Sequence, residues 1–423
     1  MFTNLRCKHK SKFNNICDGD NSMKVLFLTS RLPFPPIGGD KLRTFNFIKY
    51  LNERHDLTIL SFIEDEVELK WISDYRHYYN KLITIKLPVS RSYRNCVKGL
   101  FSRIPLQIHY YFSKEMQEAV EKELQNGYDT LFCHLIRMAQ YLQKDNHIHK
   151  VVDFTDAISL NYKRSNSYRK GLFSFVNLIE AKRVSKYEFD SINRADIAIF
   201  ISNVDGNYLK NQHNKDKIKI VSNGVDLNKF EVINSKYHTN RIVFLGNMRT
   251  FPNSDAVEYF VKEIFPLLKQ TIPNLEFHIV GNQPTKNVLK MHDNKNIFVT
   301  GFVDSVSSYL KNAAIMVAPM RVGAGIQNKI LESLAVGTPV VTTEVGAEGL
   351  DEDKLTIANT PQEFYSKAEA LIKNRKLRNE MAVIGRKYVE NNFQWSKKLY
   401  ALDEYIKNVN TNKELNYTEY GAN

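Results

Sequence analysis

Cysteine is scarce: Cys7, Cys17, Cys96 and Cys133 are the only four in 423 residues. They are scattered without metal-ligand spacing, and no His/Cys/Asp cluster supplies it, so no metal is expected. A reduced, cytoplasmic setting fits that usage. No apolar run is long enough to cross a bilayer. The opening MFTNLRCKHKSKFNNICDGDNS is polar and has no hydrophobic segment of a secretory signal. The full G-x-G-x-x-G spacing is missing, which argues against a standard dinucleotide site. No D-x-D pattern closes a strand as a metal–nucleotide site would want; FIEDEVE has one pair of that kind, at a solvated helix start. There is no fixed-period repeat, which excludes a solenoid.

Acidic residues are also in deficit, 46 against 59 Lys and Arg, for a formal charge of +13. Such a balance suits nucleic acid, anionic lipid or phosphorylated small molecules. No nucleic-acid module is recognisable, so nucleic acid is not expected as a partner. Two clusters concentrate the charge. One holds Lys86, Arg91, Arg94, Lys98, Arg103 and Lys114. The other holds Lys163, Arg164, Arg169, Lys170, Lys182, Arg183 and Lys186, with Leu172, Phe173 and Phe175 interleaved and Glu180 as the one acid. Basic side chains among aromatic and aliphatic ones predict contact with an anionic membrane surface; a solvated charged face is the plainer alternative.

Strand-like and helix-like stretches alternate along the chain. From Met23, KVLFLTS is followed by a Pro/Gly loop and by KLRTFNFIKYLNER, where Leu42, Phe45, Ile48 and Leu51 recur at helical spacing. DLTILSFI, KLITIKL, DTLFCHL, KVVDF, ADIAIFIS and KIKIVSN continue the series. A polar, turn-rich stretch follows, and the alternation restarts with RIVFLGN, NLEFHIVG, NIFVTGF, AAIMVAP and TPVVTT. Helices are expected at 253–271, 361–391 and 395–409. The pattern predicts two doubly wound, Rossmann-like α/β domains facing across a cleft. The expected boundaries are an extension at 1–22, disordered or read from an upstream start, and a first domain at 23–222. A linker at 223–240 leads to a second domain at 241–394, and a C-terminal helix and tail at 395–423 return towards the first domain.

In open α/β sheets ligands bind beyond the carboxyl ends of the strands. Gly38 and Gly39 lie in such a place, between the first strand and the first helix, where backbone N–H groups can approach an oxyanion or form a tight turn. RVGAGIQN follows the apolar strand AAIMVAP, and KILESLAVG is the helix after it. Gly323 and Gly325 would let the backbone close on a bulky anion at that helix's start. Lys329 and Glu332 lie three residues apart on the same helix: a surface pair, or a cation for a diphosphate and a carboxylate for a ribose diol. Of the aspartates in VVDFTDAISLNYKR, Asp153 and Asp156 either bind acceptor hydroxyls or cap the next helix, capping being favoured for Asp156.

Read together, VSNGVDLNKF, RIVFLGNM, LEFHIVG, IFVTGFV and MVAPMRVGAGIQNKILESLAVGTPVVTT resemble, in order, the donor half of family 4 glycosyltransferases, which have the GT-B fold. MKVLFLTSRLPFPPIGGDKLR resembles that family's acceptor-side loop, and the resemblance spans about residues 23 to 409. It implies that Glu332 holds the ribose. The family's earlier glutamate would fall at Ala324, so the chain is more similar to a subgroup with G-x-G-x-x-x-K-x-x-E that is linked to exopolysaccharide and other surface glycans. Members of that subgroup often have PN, as in GNMRTFPN here, where others place a donor-binding lysine. The resemblance thereby implies Arg249 and Lys329 on the diphosphate, and Gly246, Asn282, Gly323 and Gly325 around the donor. His134 is either structural or in the cleft beside the sugar, with Arg137 towards an acceptor phosphate.

The expected activity is retaining transfer of a sugar from a nucleotide diphosphate to a glycan acceptor, lipid-linked, at the inner face of the cell membrane. No cofactor is expected. Two rivals stay open: a nucleotide-sugar epimerase or hydrolase of the same fold, and a non-catalytic partner subunit.

Overall fold

A computed structural model describes residues 5–6, 22–142, 148–166, 168, 172–230, 238–323 and 325–418; the side chains of 172–175, 238–239 and 407–418 are outside the description. The chain divides into two compact units, Met1–Val221 with Leu399–Asn423, and Ser222–Lys398.

The first unit is built on one sheet. Its strands are β1 Leu5–Arg6, β2 Lys24–Thr29, β3 Asp56–Ile63, β4 Lys81–Lys86, β5 Thr130–His134, β6 His149–Thr155, β7 Ile197–Phe200 and β8 Ile218–Ile220. The order is β1-β4-β3-β2-β5-β6-β7-β8. Every pair is parallel except β1 with β4. β2, β5 and β7 are buried along nearly their whole length, as expected for strands covered on both faces. The chain builds outward from β2 through β3 to β4, then returns to lay β5 on the other side of β2. The reversal makes the gap between the carboxyl ends of β2 and β5 the switch point. The disordered extension expected at 1–22 lies outside the described residues apart from Leu5, Arg6 and Ser22, and the first two of these pair with Leu82 and Lys81.

The second unit repeats the plan with β9 His238–Leu245, β10 Glu276–Val280, β11 Ile297–Gly301, β12 Ala313–Ala318, β13 Val340–Thr342 and β14 Thr356–Ile357. These are all parallel, in the order β11-β10-β9-β12-β13-β14. Its switch point lies between β9 and β12. Part of the stretch expected as a linker packs inside this unit. Val225 and Phe230 are buried, Val225 bridges to Gln394, and the Arg386 guanidinium donates to the Phe230 carbonyl. The last helix, Trp395–Thr418, carries the chain back to the first unit, where His55 Nε2 lies 2.9 Å from Asp403 Oδ1.

Two helical expectations are corrected. The segment expected at 361–391 is two helices, Pro361–Lys373 and Arg375–Asn392. Asn374 leaves helical geometry at φ −101 and ψ 97, and its side chain accepts from the Leu377 N–H to start the second helix. Of the expected stripe Leu42, Phe45, Ile48 and Leu51 in the helix Gly39–Asn52, Ile48 and Leu51 are buried and Leu42 and Phe45 only partly so; the buried face also takes in Arg43, Thr44, Phe47 and Tyr50. Among the described residues no helix is long and apolar enough to cross a membrane.

Candidate active site

The second unit gathers its loops at the β9–β12 switch point. After β9, Gly246 lacks a side chain because there is no room for one: a Cβ there would stand 2.7 Å from the Asn253 amide. Gly281, after β10, presses on the same spot, since its Cβ would fall 1.9 Å from the Gly246 carbonyl oxygen. The Asn282 carbonyl accepts from the Met248 N–H at 2.9 Å and ties the two loops together. Gly246 and Asn282 thus shape the loops that hold Asn253. That side chain donates from Nδ2 to the Asn247 carbonyl and accepts at Oδ1 from Lys329 Nζ.

Lys329 belongs to the helix Asn328–Ala335, which follows the 319–327 loop. Gln327 occupies the N-cap and makes no side-chain capping bond, so the first N–H groups of the helix are not closed by that residue. Gly325 takes a left-handed φ of 69° that a side chain would strain. A Cβ on Gly323 would meet only the Gln327 amide, at 3.5 Å, so packing does not demand glycine there. Ala324 lies outside the described residues.

The Lys329 ammonium is buried, 4.4 Å from the centre of the Phe244 ring and 3.8 Å from Met320 Sδ. Burial pulls its pKa down to about 7, partly offset by Glu332. Glu332, half-buried by surface area, is pushed up to about 7 by burial, with Lys229 and Lys329 opposing the shift. The Arg249 side chain is exposed, and only its backbone N–H is engaged, on Asn247 Oδ1. Arg321 was not foreseen. It clamps Asp255 at 3.0 and 2.6 Å and lies 4.6 Å from the centre of the Tyr259 ring.

The first unit presents its counterpart at the β2–β5 switch point. Gly38 is the N-cap of the helix Gly39–Asn52, at φ 94°, again without a side-chain cap. One turn on, Arg43 is fully buried and binds both oxygens of Asp153, Nε to Oδ2 at 2.9 Å and Nη2 to Oδ1 at 2.8 Å. His134 Nδ1 lies 2.8 Å from the same Oδ2. Burial alone would raise the Asp153 pKa, but the Arg43 charge and the bonds from His134 and Arg43 hold it below the usual carboxylate range. Asp153 is therefore not an open acceptor of substrate hydroxyls, as one reading of the sequence had it; both its oxygens are taken and it is 0% exposed.

His134 is 1% exposed, and its Nε2 is buried without a hydrogen-bond partner. With Nδ1 held by Asp153, Nε2 is the ring nitrogen left without a partner among the described residues. The backbone is strained at both strand ends: Leu135, just after β5, at φ 70° and Thr155, the last residue of β6, at φ 65°. Arg137 donates to Tyr111 Oη at 3.1 Å, and Arg31, unforeseen, donates to the same oxygen at 3.2 Å. The N–H groups opening the helix Ile158–Asn166 are capped by other residues than Asp156: Ser159 donates to Glu188 and Ala157 to Asp205.

Residues 239–374 match the family described as glycosyl transferases group 1. This part of the chain is similar to a glycosyltransferase domain. The match runs from β9 to the break at Asn374 and so contains the whole Lys329 site. Among curated proteins, an uncharacterized 44.6 kDa protein in the cps region of Klebsiella pneumoniae is 21% identical over 89% of this chain and 98% of its own length. CapM of Staphylococcus aureus, a capsular polysaccharide biosynthesis glycosyltransferase, is 26% identical over 41% of the chain and 49% of its own. Among solved structures, TarM superposes at TM-score 0.68 with 12% identity, over 92% of this chain and 100% of that one. Anabaena HepE in complex with UDP and glucose gives 0.61 with 14% identity, over 91% and 99%. The architecture is the two-Rossmann-like GT-B fold.

The alternation of strands and helices had implied two doubly wound α/β domains, and the motif resemblance had implied GT-B. Asn253 is the main residue missed; the signal was the Pro252–Asn253 pair in GNMRTFPN. Among the described residues no group of three His, Cys, Asp or Glu side chains could hold a metal ion.

Proposed function

We propose that the protein is a retaining glycosyltransferase of the family 4 exopolysaccharide subgroup. It takes a hexosyl unit from a nucleotide diphosphate sugar and gives it to a lipid-linked glycan in bacterial surface polysaccharide assembly. The observation that carries this is the helix Asn328–Ala335, entered through Gly323 and Gly325 and bearing Lys329 and Glu332 at a switch point. Helix N–H groups and an ammonium suit a diphosphate; a carboxylate suits a ribose diol. In the reaction the bond from the anomeric carbon to phosphate oxygen breaks, and the diphosphate leaves with the electron pair. The acceptor hydroxyl oxygen bonds to the same face of that carbon, and its proton passes to the departing phosphate. Negative charge grows on the diphosphate, where the N–H groups, Lys329 and Arg249 would stabilise it. On the acceptor side, Gly38, Gly39, His134 and Arg137 are the groups offered, with Asp153 holding His134.

Exposed apolar side chains support attachment at the inner membrane face. Tyr93, Val97 and Phe101 are 61, 65 and 98% exposed on and just after the helix Val89–Gly99, beside Arg94, Lys98 and Arg103. Those three cations form no ion pair among the described residues, whereas Lys86, Arg91 and Lys114 are paired with Glu66, Glu115 and Glu118. Arg169 and Lys170, and the side chains of Leu172, Phe173 and Phe175, lie outside the described residues.

The test is incubation of the protein with labelled nucleotide sugars and a membrane lipid extract. Label in the lipid phase is the expected result. Release of free sugar alone would make the protein a hydrolase, and no binding of any nucleotide sugar would end the donor assignment. Reversing Arg94, Lys98 and Arg103 to Glu should release the protein from anionic vesicles, since each basic residue near such a surface contributes about 1 kcal/mol.

A further inference from the structure

The first unit holds an open groove of about 520 Å³ between the helices Ile158–Asn166 and Leu172–Arg194, away from the residues assigned above. Leu178, Lys182, Ser185, Lys186 and Phe189 form one stripe of the longer helix along it. Tyr162 and Lys163 come from the shorter helix, and Tyr208 closes the lining.

Three features separate this groove from an ordinary solvated face. Its lining contains three lysines and no carboxylate. Lys163, Lys182 and Lys186 are exposed, and none forms an ion pair among the described residues. Lys182 and Lys186 stand four residues apart on one face, an arrangement that is unfavourable unless an anion lies between them. Of the buried acids on the longer helix, Glu188 accepts from the Ser159 hydroxyl and backbone N–H, and Glu180 from the Leu106 N–H and Arg183. Beside the cations the lining mixes aromatic and aliphatic side chains, Tyr162, Phe189, Tyr208 and Leu178, with Ser and Asn side chains. Val176 and Ile179, outside the lining, are exposed on the same helix. One turn past Ile179, Arg183 donates to the Leu100 carbonyl at 2.7 Å, next to the exposed Phe101.

We propose that this groove binds the phosphate-bearing headgroup of a lipid acceptor, the three lysines meeting the phosphoryl oxygens and the aromatic side chains meeting the first carbons of the lipid. The proposal rests on the lipid-acceptor reading above and adds where the acceptor's anion is held. A free phosphate, the surface of a bulk anionic membrane and a single lipid phosphate share the same anionic chemistry, so the experiment separates them.

The full chain, saturated with UDP to occupy the donor loop, is titrated calorimetrically with pyrophosphate and with geranyl diphosphate, a soluble isoprenyl diphosphate. The same protein is sedimented with phosphatidylglycerol vesicles. Geranyl diphosphate should bind at least tenfold more tightly than pyrophosphate. The double variant Lys182→Gln, Lys186→Gln should lose at least tenfold of that affinity, and Lys163→Gln should lose a smaller part. UDP affinity of the variants, measured separately, should stay at the wild-type value, which certifies the fold and the donor site independently. Geranyl diphosphate binding unchanged in the double variant would overturn the proposal. So would equal affinity for pyrophosphate, which marks a free-anion site, or an effect confined to vesicles, which marks a general membrane contact. Failure of the wild type to bind UDP or any other nucleoside diphosphate would instead strike the glycosyltransferase reading and leave the geranyl diphosphate result to judge the groove by itself.

Discussion

The two switch points occupy equivalent places in two similar sheets and hold opposite electrostatic arrangements. In the first unit Arg43, Asp153 and His134 are fully buried and mutually paired, a charge set completed within the protein. In the second, Lys329 is just as enclosed but is given an amide oxygen, a thioether and an aromatic face instead of a paired carboxylate. A buried ion pair closed on itself fixes geometry, here the orientation of His134. A buried cation left without its anion is a site waiting for one from outside. The lesson is that enclosure does not separate structural from ligand-binding charges; completeness of pairing does.

The contrast can be broken most forcefully at Arg43. Arg43→Met leaves Asp153 with an uncompensated buried charge and should destabilise the protein by about 3–5 kcal/mol in a denaturant titration. A loss under about 1 kcal/mol would mean the pair is not closed in solution. Lys329→Met should behave in the opposite way. Replacing an under-paired buried cation with an apolar chain should change stability by less than about 1 kcal/mol. Turnover at saturating donor should fall on the order of a hundredfold, because the charge that Lys329 meets grows in the transition state. Unchanged turnover would reduce Lys329 to a packing residue.

Glu332→Gln is expected to be milder, a loss of about 1.5–3 kcal/mol in nucleotide-sugar affinity with the fold intact. Wild-type affinity in that variant removes the ribose assignment. The smallest effect is a pH profile. Protonated Lys329 favours the diphosphate, so affinity should fall as pH rises above about 7. Ionised Glu332 favours the diol, so affinity should also fall as pH drops below about 7. Lys329→Met should remove the alkaline limb and Glu332→Gln the acid limb, read by calorimetry with a nucleotide sugar. Asp153 in the first unit behaves differently: its pKa is lowered by folding, so its stabilisation is complete above ~4 and is lost only as pH falls through its folded value.

Much of the second unit was legible. Short β-rich apolar runs announced β9 to β13, and the glycines before KILESLAVG marked the turn into the ligand-facing helix. The first unit was legible in outline and misread in its centre. In KLRTFNFIKYLNER the apolar spacing suggested a face through Leu42 and Phe45. The helix turns instead to bury Arg43, because its counter-charge, Asp153, arrives from a strand 110 residues later. No local pattern carries a partner at that distance. Asp153 was misassigned for the same reason: a strand-end aspartate looks available until the arginine that consumes it is known. Asn253 escaped because its importance lies in what reaches it, Lys329, 76 residues on.

Leu135 and Thr155, at φ 70° and 65°, sit immediately after His134 and close to Asp153. A non-glycine residue held at positive φ costs on the order of 1–3 kcal/mol, and glycine would remove that strain at both positions. The chain therefore stores free energy in two backbone torsions beside its buried histidine. Relaxing either one would lengthen the list of conformations open to the strand end and blur the direction of Nε2. A more durable protein lies one substitution away, and it would be a less well aimed one.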